Sequence, residues 1–199
     1  MQKILEVTDK EMIKEVLDKA EYGTLALCTN NKPYSLPINF VEYNNEIFFH
    51  GAKKGKKIDY INKNANASFS VVEAYSLLPS YFSTDTGNAA PATHLFKSII
   101  IDGKIEFVED YNEKAQALEA LMKKYQREGN YTPLHDSMYE KIITATCIYK
   151  LVPSQTKAKF KLGQAFTKER YERVTNHLKQ RGTPKDLETL KLIEEFKRV

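Results

Sequence analysis

The sequence predicts a mainly β protein in which six antiparallel strands form a barrel with helices at its periphery. Six short runs of alternating or β-branched residues are joined by hairpin-like connections. Strands and helices do not alternate as a parallel sheet requires, and the sequence contains no Gly-x-Gly-x-x-Gly. We therefore expect a closed antiparallel barrel, and not a dinucleotide-binding fold.

The predicted strands are bounded by turn residues. Asn-Asn pairs at 30–31 and 44–45 are typical of tight turns, so the strands on either side should pair as antiparallel neighbours. The last run is rich in β-branched residues and is expected to be a central strand. The predicted strands are residues 24–28, 34–42, 46–50, 67–74, 98–108 and 142–151. The stretch 98–108 is long enough for either one bent strand or a hairpin that turns at Asp102-Gly103.

The helices are predicted from apolar spacing and capping residues. Thr8 with Glu11 is a capping-box signature for the first helix, and Thr183 followed by Pro184 begins the last. The predicted helices are residues 9–20, 56–64, 112–127, 167–181 and 184–198. We expect a barrel domain over residues 1–155 and a helical extension over 156–199 that packs on the barrel.

Residues 75–97 show no periodic pattern. A loop of this length inside a compact domain is usually functional or mobile. One hypothesis is that part of it covers a pocket, and the other is that it is an ordinary surface excursion. The candidate wall residues of such a pocket are Tyr81, Phe82, His94 and Phe96.

The composition is that of a folded domain, with 42% hydrophobic and 28% charged residues in a chain of 199. No apolar run approaches the roughly 20 residues that cross a bilayer, and the N-terminus lacks the apolar core of a signal peptide. We expect a cytoplasmic protein with no membrane partner.

Cys28 and Cys147 lie in apolar runs and are predicted to be buried thiols. The four histidines lack metal-ligand spacing, so no metal site is expected.

The net charge of +4 is unevenly placed, because residues 1–150 carry −2 and residues 151–199 carry +6. A basic C-terminal segment could contact nucleic acid through phosphate groups. It is more simply explained as a solvated helix face.

Residues 50–57 have the composition of an anion-binding loop. Gly51 and Gly55 would let the backbone approach a ligand closely, and four lysines would supply charge for a phosphate. The following helix would add its first backbone N–H groups and its dipole. A solvated basic turn is the alternative interpretation.

The order of these residues resembles the pyridoxamine 5′-phosphate oxidase-like family of FMN-binding split barrels, and most closely its nitroimidazole-resistance-like branch. That branch carries a Pro-Tyr-x-x-Pro strand and then a His-Gly-Ala-x-x-Gly-x-Lys loop. Here the two motifs begin at Pro33 and His50. The resemblance covers residues 21–151. A further segment, Lys161-Leu-Gly-Gln164, is similar to one that some flavin-binding relatives carry ahead of a C-terminal helix.

The resemblance implies a homodimer of six-stranded, Greek-key split barrels with FMN in two grooves between the subunits. The strand Ser35–Asn39 would lie along the isoalloxazine ring and ribityl chain. Lys56 and Lys57 would hold the phosphate, and Ser98 would add a hydroxyl group. The cofactor-binding residues implied in this way are Ser35, Leu36, Pro37, Ile38, Asn39, His50, Gly51, Ala52, Lys56, Lys57 and Ser98.

The implied activity is that of an FMN-dependent oxidoreductase, a flavin or nitro-compound reductase that uses NAD(P)H and a small aromatic acceptor. His50 is the candidate catalytic residue, although a structural histidine is an equal alternative. A flavin-binding transcriptional regulator and a non-catalytic flavin- or tetrapyrrole-binding protein also stay open. The family's pyridoxal-phosphate specificity residues are not evident, so pyridoxamine phosphate oxidase activity itself is not expected. The sequence identifies neither the electron acceptor nor the preferred nicotinamide.

Overall fold

The computed structural model describes residues 3–197, and within that range the chain forms eight strands and six α-helices. The strands are β1 (Glu6–Val7), β2 (Gly23–Thr29), β3 (Lys32–Ile38), β4 (Val41–Tyr43), β5 (Glu46–Gly51), β6 (Asn66–Leu78), β7 (Thr93–Val108) and β8 (Cys147–Lys161). The helices are α1 (Lys10–Lys19), α2 (Lys56–Lys63), α3 (Tyr111–Tyr125), α4 (Glu140–Ala145), α5 (Lys168–Arg181) and α6 (Pro184–Lys197). None of the helices in the described range is long and apolar enough to cross a membrane.

The strands belong to one sheet with the order β3-β2-β6-β7-β8-β5-β4, and β1 pairs with β8. The pairings β1–β8, β2–β3, β2–β6, β4–β5 and β5–β8 are antiparallel. The order has two ends, at β3 and β4, so the sheet is open. This confirms a mainly antiparallel fold of the split-barrel type with several helices. The closed six-stranded barrel expected from the strand pattern is wrong in both its closure and its strand number.

The two predicted hairpin turns are confirmed. The four asparagines at 30–31 and 44–45 all have positive φ, between 49° and 63°. Two consecutive left-handed residues make the turn whose twist matches that of the flanking strands, and asparagine tolerates this conformation better than most residues. Thr29 therefore pairs with Lys32, and Tyr43 pairs with Glu46.

The single strand predicted over residues 34–42 is broken in two at Asn39 and Phe40. The Phe40 N–H donates to the Tyr125 hydroxyl at 3.0 Å, and that hydroxyl donates to the Glu21 carbonyl at 2.7 Å. The backbone of Phe40 is thus bound to a side chain instead of a neighbouring strand. The fully buried Phe40 ring meets Phe69 edge-on, with the centroids 4.8 Å apart.

The strand predicted over 142–151 is wrong in its first half, because these residues form α4. Ile143 is buried whereas Ile142 is 63% exposed, as one-sided helix packing requires. Tertiary packing therefore overrides the strand preference of these β-branched residues.

The irregular stretch predicted over 75–97 is shorter than expected. β6 continues to Leu78 and β7 begins at Thr93.

The chain divides into two compact units, each with its own core. The first contains Lys10–Val71 and Ile99–Lys157. There Asp110 caps the N-terminus of α3, and its carboxylate accepts from the Glu113 N–H at 2.8 Å. Its apolar face covers a cluster of buried side chains. These are Val41, Phe48, Val108, Ala117, Leu121 and Ile148.

The second unit contains the residues up to Asp9, Val72–Ser98 and the residues from Ala158 onward. In it, α5 begins at the Thr167 cap and ends at Gly182, which has φ +61°. The two C-terminal helices pack through buried side chains, which include Phe160, Val174, Leu178, Leu190 and Ile193. The predicted bounds of α5 and the predicted start of α6 are confirmed to within one residue, and the predicted end of α6 at Arg198 lies outside the described residues.

Candidate functional site

The predicted anion-binding loop connects the end of β5 to the start of α2. β5 lies beside β8, with Phe49 paired to Tyr149 and Gly51 paired to Cys147. The Tyr149 hydroxyl donates to the Ala52 carbonyl at 2.7 Å and so fixes the first residue of the loop. The Tyr149 ring is fully buried and stacks on Phe49, with centroids 5.3 Å apart. The loop therefore begins from a rigid base.

Lys57 turns back from α2 and lies against Gly51. A Cβ atom on Gly51 would overlap the Lys57 Nζ atom, so a glycine is needed for this arrangement. Nζ lies 4.7 Å from the ring centroid of Tyr149 and 5.3 Å from that of Phe49.

The Lys57 ammonium is half-buried, and this burial lowers the pKa of Lys57 below its ordinary value. Within residues 3–197, no carboxylate forms an ion pair with it. Its neighbours are aromatic rings, which attract a cation weakly compared with an anion. Lys57 is therefore a partly desolvated cation that a bound anion would stabilise.

The start of α2 offers backbone donors beside this ammonium. Gly55 has φ +117° and ψ 176°, a conformation that is essentially restricted to glycine. Its carbonyl accepts from the N–H groups of Ile58 and Asp59 at 2.9 and 3.1 Å. The cap residue of this helix is Gly55 itself, so it offers no side-chain cap. The N–H groups of Lys56 and Lys57 precede the first helical hydrogen bond and can therefore donate to a ligand.

Lys56 brings the loop to the start of β3. Its Nζ atom lies 4.3 Å above the ring of Tyr34, which also contacts Tyr60 with centroids 5.3 Å apart. β3 is at one end of the strand order, so one of its edges is free of strand pairing. The predicted ligand-binding residues on this strand alternate in exposure. Ser35, Pro37 and Asn39 are exposed, and Leu36 and Ile38 are half-buried.

Two predicted site residues are placed differently from Lys57. His50 is exposed and lies between Phe49 and Gly51 on β5. Side-chain alternation therefore directs it to the face of the strand opposite that of Phe49 and Gly51, against which Lys57 lies. Ser98 belongs to the other compact unit, where its hydroxyl donates to the Lys159 carbonyl at 3.3 Å.

Tyr149 and Cys147 are site residues that the sequence did not indicate. Burial raises the pKa of Tyr149, and a hydrogen bond with Cys147 raises it further, so the hydroxyl keeps its proton for the Ala52 carbonyl. No local motif indicates this contact, because the two segments are almost 100 residues apart.

The prediction of two buried thiols is wrong for Cys28, which is exposed, whereas Cys147 is half-buried. Leu25 and Leu27 occupy the inner face of β2, so strand alternation turns Cys28 outward. Among the described residues, no group of three or more His, Cys, Asp or Glu side chains is arranged to hold a metal ion.

This geometry fits the phosphate end of a ligand. Three features face the same loop. They are a half-buried ammonium that has no anionic partner in the part of the chain that the structure describes, a glycine that leaves room for it, and an uncapped helix start. Lys53 and Lys54 add exposed positive charge. The site can therefore bind a dianion through charge-assisted and backbone hydrogen bonds.

Solved structures with the same fold support the architecture. A candidate 5-nitroimidazole antibiotic resistance protein from Bacteroides thetaiotaomicron is 22% identical, with a TM-score of 0.63 over 78% of this chain and 86% of that one. Flavocytochrome Anf3 from Azotobacter vinelandii is 20% identical, with a TM-score of 0.63 over 84% and 75%. An FAD- and heme-binding protein from Mycobacterium smegmatis is 19% identical, with a TM-score of 0.64 over 84% and 78%. At these identities the similarity establishes the fold alone.

No curated protein is significantly similar to this chain in sequence. The family model described as pyridoxamine 5′-phosphate oxidase matches residues 9–160. These residues include β2–β5, the predicted anion-binding loop and most of β8. That match spans about three quarters of the chain. The chain therefore belongs to the pyridoxamine 5′-phosphate oxidase family.

Proposed function

We propose that this protein binds FMN at the start of α2 and uses it to transfer electrons from NAD(P)H to a small aromatic acceptor. The observation that carries the proposal is the half-buried Lys57 ammonium, which lies against Gly51 and has no carboxylate partner within the described range 3–197. Family membership adds a reason to expect a flavin, and two structural relatives are named as a flavocytochrome and an FAD- and heme-binding protein.

The phosphate of FMN would bind to Lys57, to Lys56 and to the first backbone N–H groups of α2. A phosphate carries close to two negative charges at neutral pH, so it would compensate the partly desolvated ammonium. Gly51 leaves space for that ammonium, and Gly55 opens the helix start without a side chain over the donors. Tyr149 keeps the loop in place through its bond to the Ala52 carbonyl.

The ring system would lie along β3, whose free edge offers backbone N–H and C=O groups. Lys56 and Tyr34 mark the phosphate-proximal end of this strand, because the ammonium lies over that ring. At the far end, the Asn39 amide donates to the Glu21 carbonyl at 3.0 Å and is thereby oriented. FMN supplies the two-electron chemistry when bound, and the chain supplies position and electrostatics. A catalytic role for His50 stays a prediction.

A second copy of the chain would complete the groove. The outward face of β2 and β3 consists of small or short side chains that are exposed, with Ala26 opposite Ser35 and Thr24 opposite Pro37. A flat face of this kind allows close approach of another sheet. We therefore propose a homodimer with FMN at the subunit interface.

The regulator hypothesis has less support. Two arginines of α5 are already paired with carboxylates, since Arg173 binds Asp85 and Arg181 binds Asp186. A nucleic-acid surface instead needs cations that are free to contact phosphate groups.

FMN titration of the apoprotein tests the phosphate site. Quenching of FMN fluorescence gives the affinity of the wild type, of Lys57→Ala and of Lys53→Ala. Lys53 is an exposed lysine of the same loop, so its variant loses the same charge without losing the buried contact. We expect affinity to fall about tenfold or more in Lys57→Ala and much less in Lys53→Ala. Equal affinity of all three proteins would eliminate the proposed site.

Turnover is tested separately. Anaerobic NADH or NADPH should bleach the absorbance of the FMN-loaded protein, and a nitroaromatic compound or quinone should restore it. A protein that binds FMN but is bleached by neither nicotinamide would be a flavin-binding protein without this activity.

A further inference from the structure

A pocket of about 260 Å³ lies in the unit that contains β1 and the C-terminal helices. Its polar lining comes from the side chains of Thr93, Lys161, Gln164 and Arg170. None of the lining residues in the described part of the chain is acidic. The pocket is therefore lined there by cations and neutral groups.

The Lys-x-x-Gln segment shapes this pocket. The Gln164 side chain accepts from the Leu162 N–H and donates to the Phe160 carbonyl, both at 2.8 Å. Its hydrogen bonds therefore hold the turn after β8. Gly163 has φ +90°, and a Cβ there would collide with the Phe166 ring. Lys161, the last residue of β8, lines the pocket together with Gly163 and Gln164 of this turn.

Arg170 also lines the pocket. Its guanidinium stacks over the Phe166 ring, 4.4 Å from the centroid. Nε donates to the Ser83 hydroxyl at 3.1 Å, and one terminal nitrogen donates to the Pro91 carbonyl at 3.2 Å. These neutral acceptors orient the guanidinium group without compensating its charge.

The cations around the pocket repel one another. Burial lowers the pKa of Lys161, and the nearby charges of Lys159 and Arg170 lower it further. The Lys161 ammonium donates to the Thr93 hydroxyl. In residues 3–197, no carboxylate pairs with Lys159, Lys161 or Arg170.

The two other arginines of α5 differ from Arg170 in having carboxylate partners. Arg173 binds the Asp85 carboxylate through two nitrogens, the longer contact being 2.7 Å, and Arg181 binds Asp186 at 2.6 Å. Among the described residues, the helix thus has carboxylate partners for the two arginines outside the pocket and none for the one that lines it. A group of like charges around a concave site is stabilised when an anion enters.

We propose that this pocket binds a phosphoryl group, of inorganic phosphate or of a small phosphorylated compound, with Lys161 and Arg170 as direct ligands. The volume of about 260 Å³ suits a compact dianion better than a polymer backbone. A dianion also compensates the three clustered cations more completely than a carboxylate does. The site uses none of the residues assigned to FMN in the other unit.

Titration of the full-length apoprotein tests this proposal. ³¹P line broadening and thermal stability are measured with inorganic phosphate and phenyl phosphate, and with chloride at matched ionic strength. We expect saturable binding of at least one phosphoryl compound and none of chloride. Preference for phenyl phosphate would indicate a phosphorylated metabolite, and preference for inorganic phosphate would indicate the free ion. Identical effects of all three salts would overturn the proposal.

Variants locate the binding site. Lys161→Gln and Arg170→Gln should each weaken phosphate binding about tenfold. Lys168→Gln removes the same charge from an exposed position of α5 and should leave binding unchanged. Lys57→Ala should also retain it, which separates this pocket from the FMN site.

The melting temperature of ligand-free Lys161→Gln distinguishes binding from a structural role. Removing one of three repelling cations should leave stability unchanged or raise it. Undiminished phosphate binding in both pocket variants would refute the assignment, as would binding that is lost equally in Lys168→Gln.

Discussion

Lys57 and Gly51 share one space, because the ammonium of the lysine lies where a side chain on the glycine would begin. Gly51→Ala should therefore displace the ammonium while leaving the β5–β8 pairing intact. We expect FMN affinity to fall about tenfold, the value of one charge-assisted contact. Fluorescence titration measures the affinity, and thermal melting checks that the variant is folded.

A double-mutant cycle distinguishes displacement of Lys57 from direct obstruction of the ligand. In a Lys57→Ala background, Gly51→Ala should cause little further loss of FMN affinity. If the two losses are additive, the methyl group acts on the ligand itself and the Lys57 contact is not the reason for the glycine.

Local sequence signals predicted the elements that are determined locally. The asparagine pairs specify both hairpins because each of them adopts positive φ, which few other residues tolerate. Thr167 and Gly182 mark the ends of α5 because capping satisfies backbone groups within one turn. The interruption at Phe40 could not be predicted, because it depends on the Tyr125 hydroxyl of a distant helix.

The candidate site was predictable only in part for the same reason. The glycines and lysines of the loop are contiguous in sequence, and they indicate an anion site without structural knowledge. The contact of Tyr149 with Ala52 requires the pairing of β5 with β8, which has no local signature. Likewise, the sequence does not show that Lys57 has no carboxylate partner among residues 3–197, since that depends on every element packed around it.

Asp186 should contribute much more to stability than a second, exposed aspartate of the same unit. Its buried carboxylate accepts from Arg181 and from the Ser76 hydroxyl, each at 2.6 Å. Arg181 holds the pKa of Asp186 far below its ordinary value. The stabilisation is therefore present above the unfolded pKa of 3.8 and is lost as the pH falls below it. Asp186→Asn leaves Arg181 without its anion and should cost about 3 kcal/mol.

Urea denaturation measures that loss, and Asp85→Asn is the matched control. Asp85 also binds an arginine through two oxygens, but its side chain is 80% exposed. We expect no measurable change in its unfolding midpoint. If the two variants had equal stability, the buried network would not be the stabilising feature.

Lys124 should make stability rise with pH in the alkaline range. Its ammonium donates to the Leu17 carbonyl at 2.8 Å and lies 3.5 Å from the Phe40 ring centroid, and burial lowers the pKa of Lys124 from 10.5 to about 8. Between pH 8 and pH 10.5, Lys124 is protonated in the unfolded chain and largely deprotonated in the folded protein. The resulting destabilisation is therefore complete below pH 8 and disappears as the pH rises toward 10.5.

Lys124→Met keeps most of the side-chain length and removes the charge. Between pH 7.5 and pH 10, the free energy of unfolding of the variant should fall by on the order of 2 kcal/mol relative to that of the wild type. The wild type becomes more stable as Lys124 loses its buried charge, and the variant has no such charge to lose. Guanidinium denaturation at several pH values measures the difference. A difference that stays constant with pH would show that Lys124 carries its charge without penalty in the folded protein.

Ala26→Arg should separate the proposed dimer into monomers. Ala26 lies opposite Ser35 on the exposed face of β2 and β3, and its small side chain permits a second sheet to approach closely. An arginine there introduces bulk and a charge that the partner copy would have to desolvate. Gln155→Arg makes the same charge change at an exposed position of β8 and should leave the assembly intact. Light scattering during size-exclusion chromatography gives the mass of each variant, with about 23 kDa expected for the Ala26→Arg chain. A wild type that elutes as a monomer, or an Ala26→Arg variant that stays dimeric, would show that this face is not the interface.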